Sequence, residues 1–150
     1  MSQDEVKIYK YVLIFSGFYA VFLAAINILA HGFNIDLGSS GNIATLLGAG
    51  YGAAVKFVND VQRAPFKKEK RILSMLCLTS SFFISLLAVL VVVPLVGGEK
   101  LTNEILEALK ALSPFIWLGV AAFIGIIYYL ILSFIFGWAS KKYASKAVSA

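Results

Sequence analysis

From Val12 to Ala30 the chain carries no charged residue, and the same holds from Ile72 to Val96 and from Phe115 to Ala139. Runs of this length decide the solvent before anything else is known. A helix of roughly 20 apolar residues crosses a hydrocarbon core of about 30 Å. Within that core every backbone N–H and C=O must be satisfied inside its own segment, so helices are the economical solution. Membrane β-strands would instead show short alternating stretches, and the sequence has none. A fourth stretch, from Gly41 to Val58, is weaker: it is Gly-rich and carries Lys56 near its end. The sequence therefore predicts an all-α integral membrane protein. Residues 1–150 form a single domain, an antiparallel four-helix bundle with spans at about 12–30, 41–58, 72–96 and 115–139. Composition agrees, with 60% hydrophobic and 14% charged residues and a mean hydropathy of +0.87. A soluble domain of 150 residues could not hide that much apolar surface.

The N-terminal run is too long for a cleavable signal, and Asp4 and Glu5 stand among the basic residues before it. It reads as a retained first span. Orientation follows from Lys and Arg. Lys7 and Lys10 precede span one, and Lys56, Arg63, Lys67, Lys68, Lys70 and Arg71 join spans two and three. Lys141, Lys142 and Lys146 follow span four, whereas only Lys100 and Lys110 fall on the opposite side. By the positive-inside rule both termini and the central loop are expected to be cytoplasmic. The same arithmetic disposes of a nucleic-acid reading of the pI of 9.4. The cations stand beside spans, where anionic headgroups and insertion bias account for them.

On the outer side, His31 to Ser40 reads as a short polar turn. After Gly97 and Gly98, apolar residues at Leu101, Ile105, Ala108, Leu109 and Leu112 keep helical spacing. Glu99 and Glu104 lie early and Lys110 late, as a helix dipole favours. These features predict a short amphipathic helix between spans three and four, lying in the outer interface. Ser113 and Pro114 then read as N-cap and first residue of span four.

The cytoplasmic connection carries the most specific pattern. Lys56, Asp60 and Arg63 fall on one helix face and can form a charge ladder. Pro65 stops the helix and can begin the next, and Glu69 can meet Arg63 or Lys56 across the turn. The cluster Lys56, Asp60, Arg63, Pro65 and Glu69 is the candidate site, and its simplest role is to fix the hairpin. The segment also resembles the central signature, K-F-V-x-D-x-x-R-x-P-x-x-x-E, of an uncharacterised family of small bacterial four-span membrane proteins. Lys56, Phe57, Val58, Asp60, Arg63, Pro65 and Glu69 carry the match. That family has a hydroxyl residue after the proline, whereas this chain has Phe66, which leaves a capping box with Glu69 incomplete. The resemblance implies a multi-pass protein of the bacterial inner membrane and supplies no activity.

Within the spans, small residues form stripes that let helices approach: Ser16, Ala20, Ala24 and Asn27; Ala44, Gly48 and Gly52; Ser74, Cys77, Ser81, Ser85 and Ala88; Ala121 and Gly125. Asn27 is expected to bond a neighbouring helix, and Tyr19, Tyr128 and Tyr129 to find carbonyl partners. Trp117 and Trp138 mark the two ends of span four. No ionisable residue sits at mid-bilayer, which argues against ion-driven transport. One Cys excludes a thiol-pair oxidoreductase. His31 without a second ligand beside it is no metal site, and the few cytoplasmic carboxylates do not make a Mg²⁺ cluster. The sequence thus predicts no enzyme, no cofactor and no metal. It predicts a binding protein whose partners are membrane lipids and a protein. An immunity protein against a membrane-targeting toxin, or an accessory subunit of a membrane complex, fits that layout. A small oligomeric carrier or channel for lipid or a small molecule is the alternative.

Overall fold

A computed structural model describes residues 7–33, 38–111 and 113–148. They form four helices and, among the described residues, no strand. The helices are α1 (Ile8–Phe33), α2 (Gly38–Val61), α3 (Lys67–Ala111) and α4 (Pro114–Val148). Three contain stretches long and apolar enough to cross a membrane: Ile8–Leu29, Lys67–Val91 and Pro114–Ser145. α2 is not among them. Its 24 residues would reach about 36 Å, but its glycines, Ser39, Ser40, Asn42 and Lys56 dilute the apolar character.

α1 packs against α2 and α3, and α4 packs against the same two helices. α2 and α3, although consecutive in the chain, are not close neighbours. The α1–α2 seam depends on two glycines. A Cβ at Gly48 would meet the Phe22 ring at 3.1 Å, and one at Gly52 would meet Phe18 at 3.1 Å. The two rings are nearly parallel, with centroids 6.1 Å apart, and their edges meet the glycine surface. Gly50 faces the other way, where a Cβ would meet Leu132 of α4 at 3.2 Å. α2 is thus thin on two sides, and helices close in on both.

The core lies toward one end. Tyr11, Phe15 and Tyr19 from α1 meet Leu46, Ala49, Ala53, Ala54 and Phe57 from α2, with Leu73 and Cys77 from α3. Leu132, Ile135, Phe136 and Ala139 of α4 complete it. This is the end that holds the α2–α3 turn. Toward the far end, every described residue from 113 to 124 is exposed. That covers about three turns of α4 around its whole circumference, with Phe115 at 86% and Leu118 at 68% exposure. Gly119 and Gly125 have nothing near where a Cβ would stand, so the Ala121–Gly125 stripe packs against no helix. Ala20 and Ala24 are likewise exposed.

The separate amphipathic helix expected between spans three and four is not there: residues 97–111 continue α3 without interruption. Extending a helix adds a hydrogen bond per residue, whereas starting a new one requires a costly nucleus. The strongly helix-forming stretch after Gly98 is therefore captured by the helix before it. Chain geometry nevertheless requires α3 to bend. Lys70 Nζ lies 3.7 Å from the Cβ position of Gly137. A straight helix from Lys70 to Ala111 would measure about 61 Å. The route back through that contact, along α4 and across the turn is about 57 Å even when fully stretched. Pro94 and the Gly97–Gly98 pair are the helix breakers in that interval, and bends concentrate at such residues. At the start of α4 the expected cap is present: the Ser113 carbonyl accepts from Ile116 N–H at 3.0 Å and Trp117 N–H at 3.3 Å. Pro114 is the first helical residue. The polar turn expected from His31 to Ser40 is shorter, because α1 runs through Phe33 and α2 starts at Gly38; residues 34–37 and Leu112 lie outside the described residues.

Candidate functional site

The turn between α2 and α3 is built by capping. α2 ends at Val61, and Gln62 takes a left-handed φ of 55°, a conformation usually left to glycine. Its N–H bonds the Val58 carbonyl at 2.7 Å, and its side-chain amide bonds the Asn59 carbonyl at 2.7 Å. Two bonds to the helix end offset the steric cost of the left-handed residue. The chain then passes through Ala64 and Pro65 to Phe66, which acts as N-cap of α3. Pro65 stands just before the helix and is not its first residue, because α3 starts at Lys67.

Glu69 organises this turn. It accepts from Arg63 Nη1 at 2.7 Å and Nη2 at 2.8 Å, a two-pronged ion pair. It also accepts from the Phe66 N–H at 2.8 Å, which is the glutamate half of a capping box. The hydroxyl half is missing, and the residue in its place has another use. The Phe66 ring lies under the Arg63 guanidinium at 4.0 Å, a cation–π contact. Arg63 further donates to the Ala64 carbonyl at 3.2 Å. The carboxylate of Glu69 raises the pKa of Arg63 above its ordinary value.

The charge ladder divides in two. Asp60 pairs with Lys56 one turn back at 3.0 Å, and with Lys10 of α1 at 2.7 Å. Tyr11 lies 3.5 Å away and donates weakly to the same carboxylate. Arg63 does not join this group. It turns to Glu69 because the left-handed residue at 62 takes it off the α2 face. Lys56, Asp60, Arg63, Pro65 and Glu69 thus surround one turn as two separate ion-pair groups. Lys10 belongs to the first and is invisible to a local reading, being fifty positions away from Asp60. The hydrogen bond from Lys10, then that from Lys56, holds the Asp60 carboxyl below the usual carboxylate range.

A second polar feature runs between α1 and α3. The Ser16 and Ser80 hydroxyls are hydrogen-bonded to each other. One turn farther along α1, the Tyr19 hydroxyl meets Ser85 at 3.0 Å. Tyr19 therefore bonds a hydroxyl and not the expected carbonyl. Asn27 also departs from expectation, because its amide bonds the Leu23 carbonyl of its own helix at 2.7 Å. Tyr51 of α2 and Tyr143 of α4 share a hydroxyl–hydroxyl bond of 2.6 Å. The Ser74 and Ser140 hydroxyls are buried without a partner.

No family model, no curated protein and no solved structure matches this chain. Paired charges fix the turn end, a hydroxyl seam joins α1 to α3, and the first three turns of α4 are exposed. Among the described residues, no three His, Cys, Asp or Glu side chains converge as metal ligands would.

Proposed function

We propose that this chain is a non-enzymatic, four-span protein of the bacterial inner membrane that acts by binding a protein partner. The observation that carries the reading is the start of α4, apolar and exposed at every described residue from 113 to 124. In lipid, helices associate through close packing of small residues, and Gly119, Ala121 and Gly125 offer such a surface. The membrane placement is supported by three apolar helices of spanning length. α2 is the fourth span, held in lipid by the helices that close on its glycines. Eleven Lys and Arg in the termini and central loop, counted as two, six and three, against two elsewhere orient both termini and the α2–α3 turn toward the cytoplasm. The Lys56–Glu69 segment serves as the signature of the four-span family that it resembles, with a structural role. An immunity protein against a membrane-targeting toxin, or an accessory subunit, has this build.

Affinity purification from native membranes in mild detergent, followed by native mass spectrometry, tests the reading. A stoichiometric protein partner is the expected result, and a bare monomer overturns it. The second reading, an oligomeric carrier for lipid or a small molecule, draws support from the hydroxyl seam of Ser16, Ser80, Tyr19 and Ser85. A homo-oligomer with a retained ligand would favour that reading instead.

A further inference from the structure

The carboxylates described at the cytoplasmic rim, Asp60 and Glu69, are both engaged by cations of the bundle itself. Six other cations remain along the start of α3 and the end of α4: Lys67, Lys68, Lys70, Arg71, Lys141 and Lys142. Among the described residues, none of them has a carboxylate within ion-pair distance. Four of these cations stand in the opening turns of α3, where the helix dipole is itself positive. Charge of one sign is thus concentrated at a place that already favours an anion.

Two of the six are held in position. The Lys70 stem lies across α4, with Cδ 3.8 Å and Nζ 3.7 Å from the Cβ position of Gly137. The absent side chain at 137 leaves room for it. Lys142 Nζ lies over the Trp138 ring at 5.1 Å. Gly137 and Trp138 are adjacent, so the two ammonium groups stand at the same level of α4, on helix faces about 100° apart. Above it, away from the rim, Phe134 stacks on Trp138 at 6.4 Å and an interplanar angle of 7°. Both rings are exposed and form an aromatic strip leading from the charged rim into the apolar zone.

We propose that this seam binds one anionic phospholipid, with Lys70 and Lys142 on the phosphate and the Trp138–Phe134 strip along the acyl chain. The proposal rests on the membrane placement given above. A free phosphate would use the two amines and leave the strip without purpose, whereas a lipid uses both. Basic pockets between helices on the cytoplasmic side suit such headgroups, and interfacial tryptophan suits the boundary between headgroup and chain.

The test uses the full chain in phosphatidylcholine vesicles containing a minor share of phosphatidylglycerol. Bound lipid is read by native mass spectrometry after detergent extraction, and insertion by flotation with pure phosphatidylcholine vesicles. The wild type is expected to keep one phosphatidylglycerol in preference to phosphatidylcholine. Lys70→Gln with Lys142→Gln should reduce that retention roughly thirtyfold, as two lost basic contacts imply. Lys110→Gln, at an exposed position at the opposite end of α3, should leave it unchanged. Far-UV circular dichroism verifies that each variant is folded. Equal retention of both lipids, or an equal loss in Lys110→Gln, overturns the site while leaving the membrane reading intact. Displacement of the lipid by millimolar inorganic phosphate would make this a phosphate site and also overturns the proposal. A chain that does not float with neutral vesicles overturns the membrane reading and the lipid site together.

Discussion

Glu69 makes three contacts from one carboxylate, and separating them gives the most exacting test of the turn. Glu69→Ala removes the reach-back to the Phe66 N–H and the two bonds to Arg63. The cap is worth about 1 kcal/mol. The ion pair is partly shielded, with side-chain exposures of 34% for Arg63 and 18% for Glu69. Its two-pronged geometry places it near the upper end of exposed pairs, at about 1 kcal/mol after allowance for solvent. Glu69→Ala should therefore cost about 2 kcal/mol. Glu69→Gln keeps an oxygen for the Phe66 N–H and should cost only about half as much. Arg63→Ala loses the same ion pair and the stack on Phe66, for about 1.5 kcal/mol. The double variant should fall short of the sum of the singles by about 1 kcal/mol, the shared pair. The assay is reversible unfolding by sodium dodecyl sulfate in mixed micelles, followed by far-UV circular dichroism. Additivity to within about 0.3 kcal/mol would refute the coupling, and equal costs for Gln and Ala would refute the capping role.

Four further outcomes are open to direct measurement. Gly52→Leu should destabilise the bundle by about 1–3 kcal/mol by pushing Phe18 away, whereas Gly119→Leu should change thermal stability by less than about 0.5 kcal/mol. Ser74→Ala removes a buried hydroxyl that has no partner; unfolding titrations should show no loss of stability, because no hydrogen bond is given up. The Asp60 carboxyl is held below its ordinary value, so its contribution is complete above the unfolded value and fades as pH falls through the lower folded one. An unfolding series at pH values from the neutral range down through that interval should show this loss in the wild type and not in Asp60→Asn. In a Cys77→Ser background, single cysteines at Lys67 and Lys141 should react with an impermeant maleimide only from the cytoplasmic side, and one at Lys110 only from the other.

The helical class and the four segments were legible because period and length act locally. Val12 to Ala30 needs no knowledge of its neighbours to be read as a helix. The serine and cysteine stripe of α3 was legible for the same reason, since Ser74, Cys77 and Ser81 repeat along one face and are buried there. The Arg63–Glu69 pair was within reach because six positions separate the partners across a turn marked by Pro65. What failed depended on distance or on competition between elements. Nothing near Asp60 in the sequence points to Lys10. The break expected at Gly97–Gly98 treated glycine as a stop, although in a long helix it costs about 1 kcal/mol and is readily absorbed. Phe66 stood in the sequence as a defect in a capping box. Only the side-chain geometry gives it a positive role, as a floor for Arg63.

Because the core lies toward the end that holds the α2–α3 turn while residues 113–124 stand exposed, the start of α4 has the mechanics of a lever. Phe15, Phe57, Leu73 and Phe136, all fully buried, form the joint, and the bare end of α4 is a tip. The exposed arm, residues 113–124, is roughly 18 Å long, so a rotation of about 10° at the joint moves its tip by about 3 Å. In the bilayer proposed above, lateral pressure would act on that tip with that leverage. The thickness of the host membrane would then set the tilt of the arm, and a change of lipids would change it.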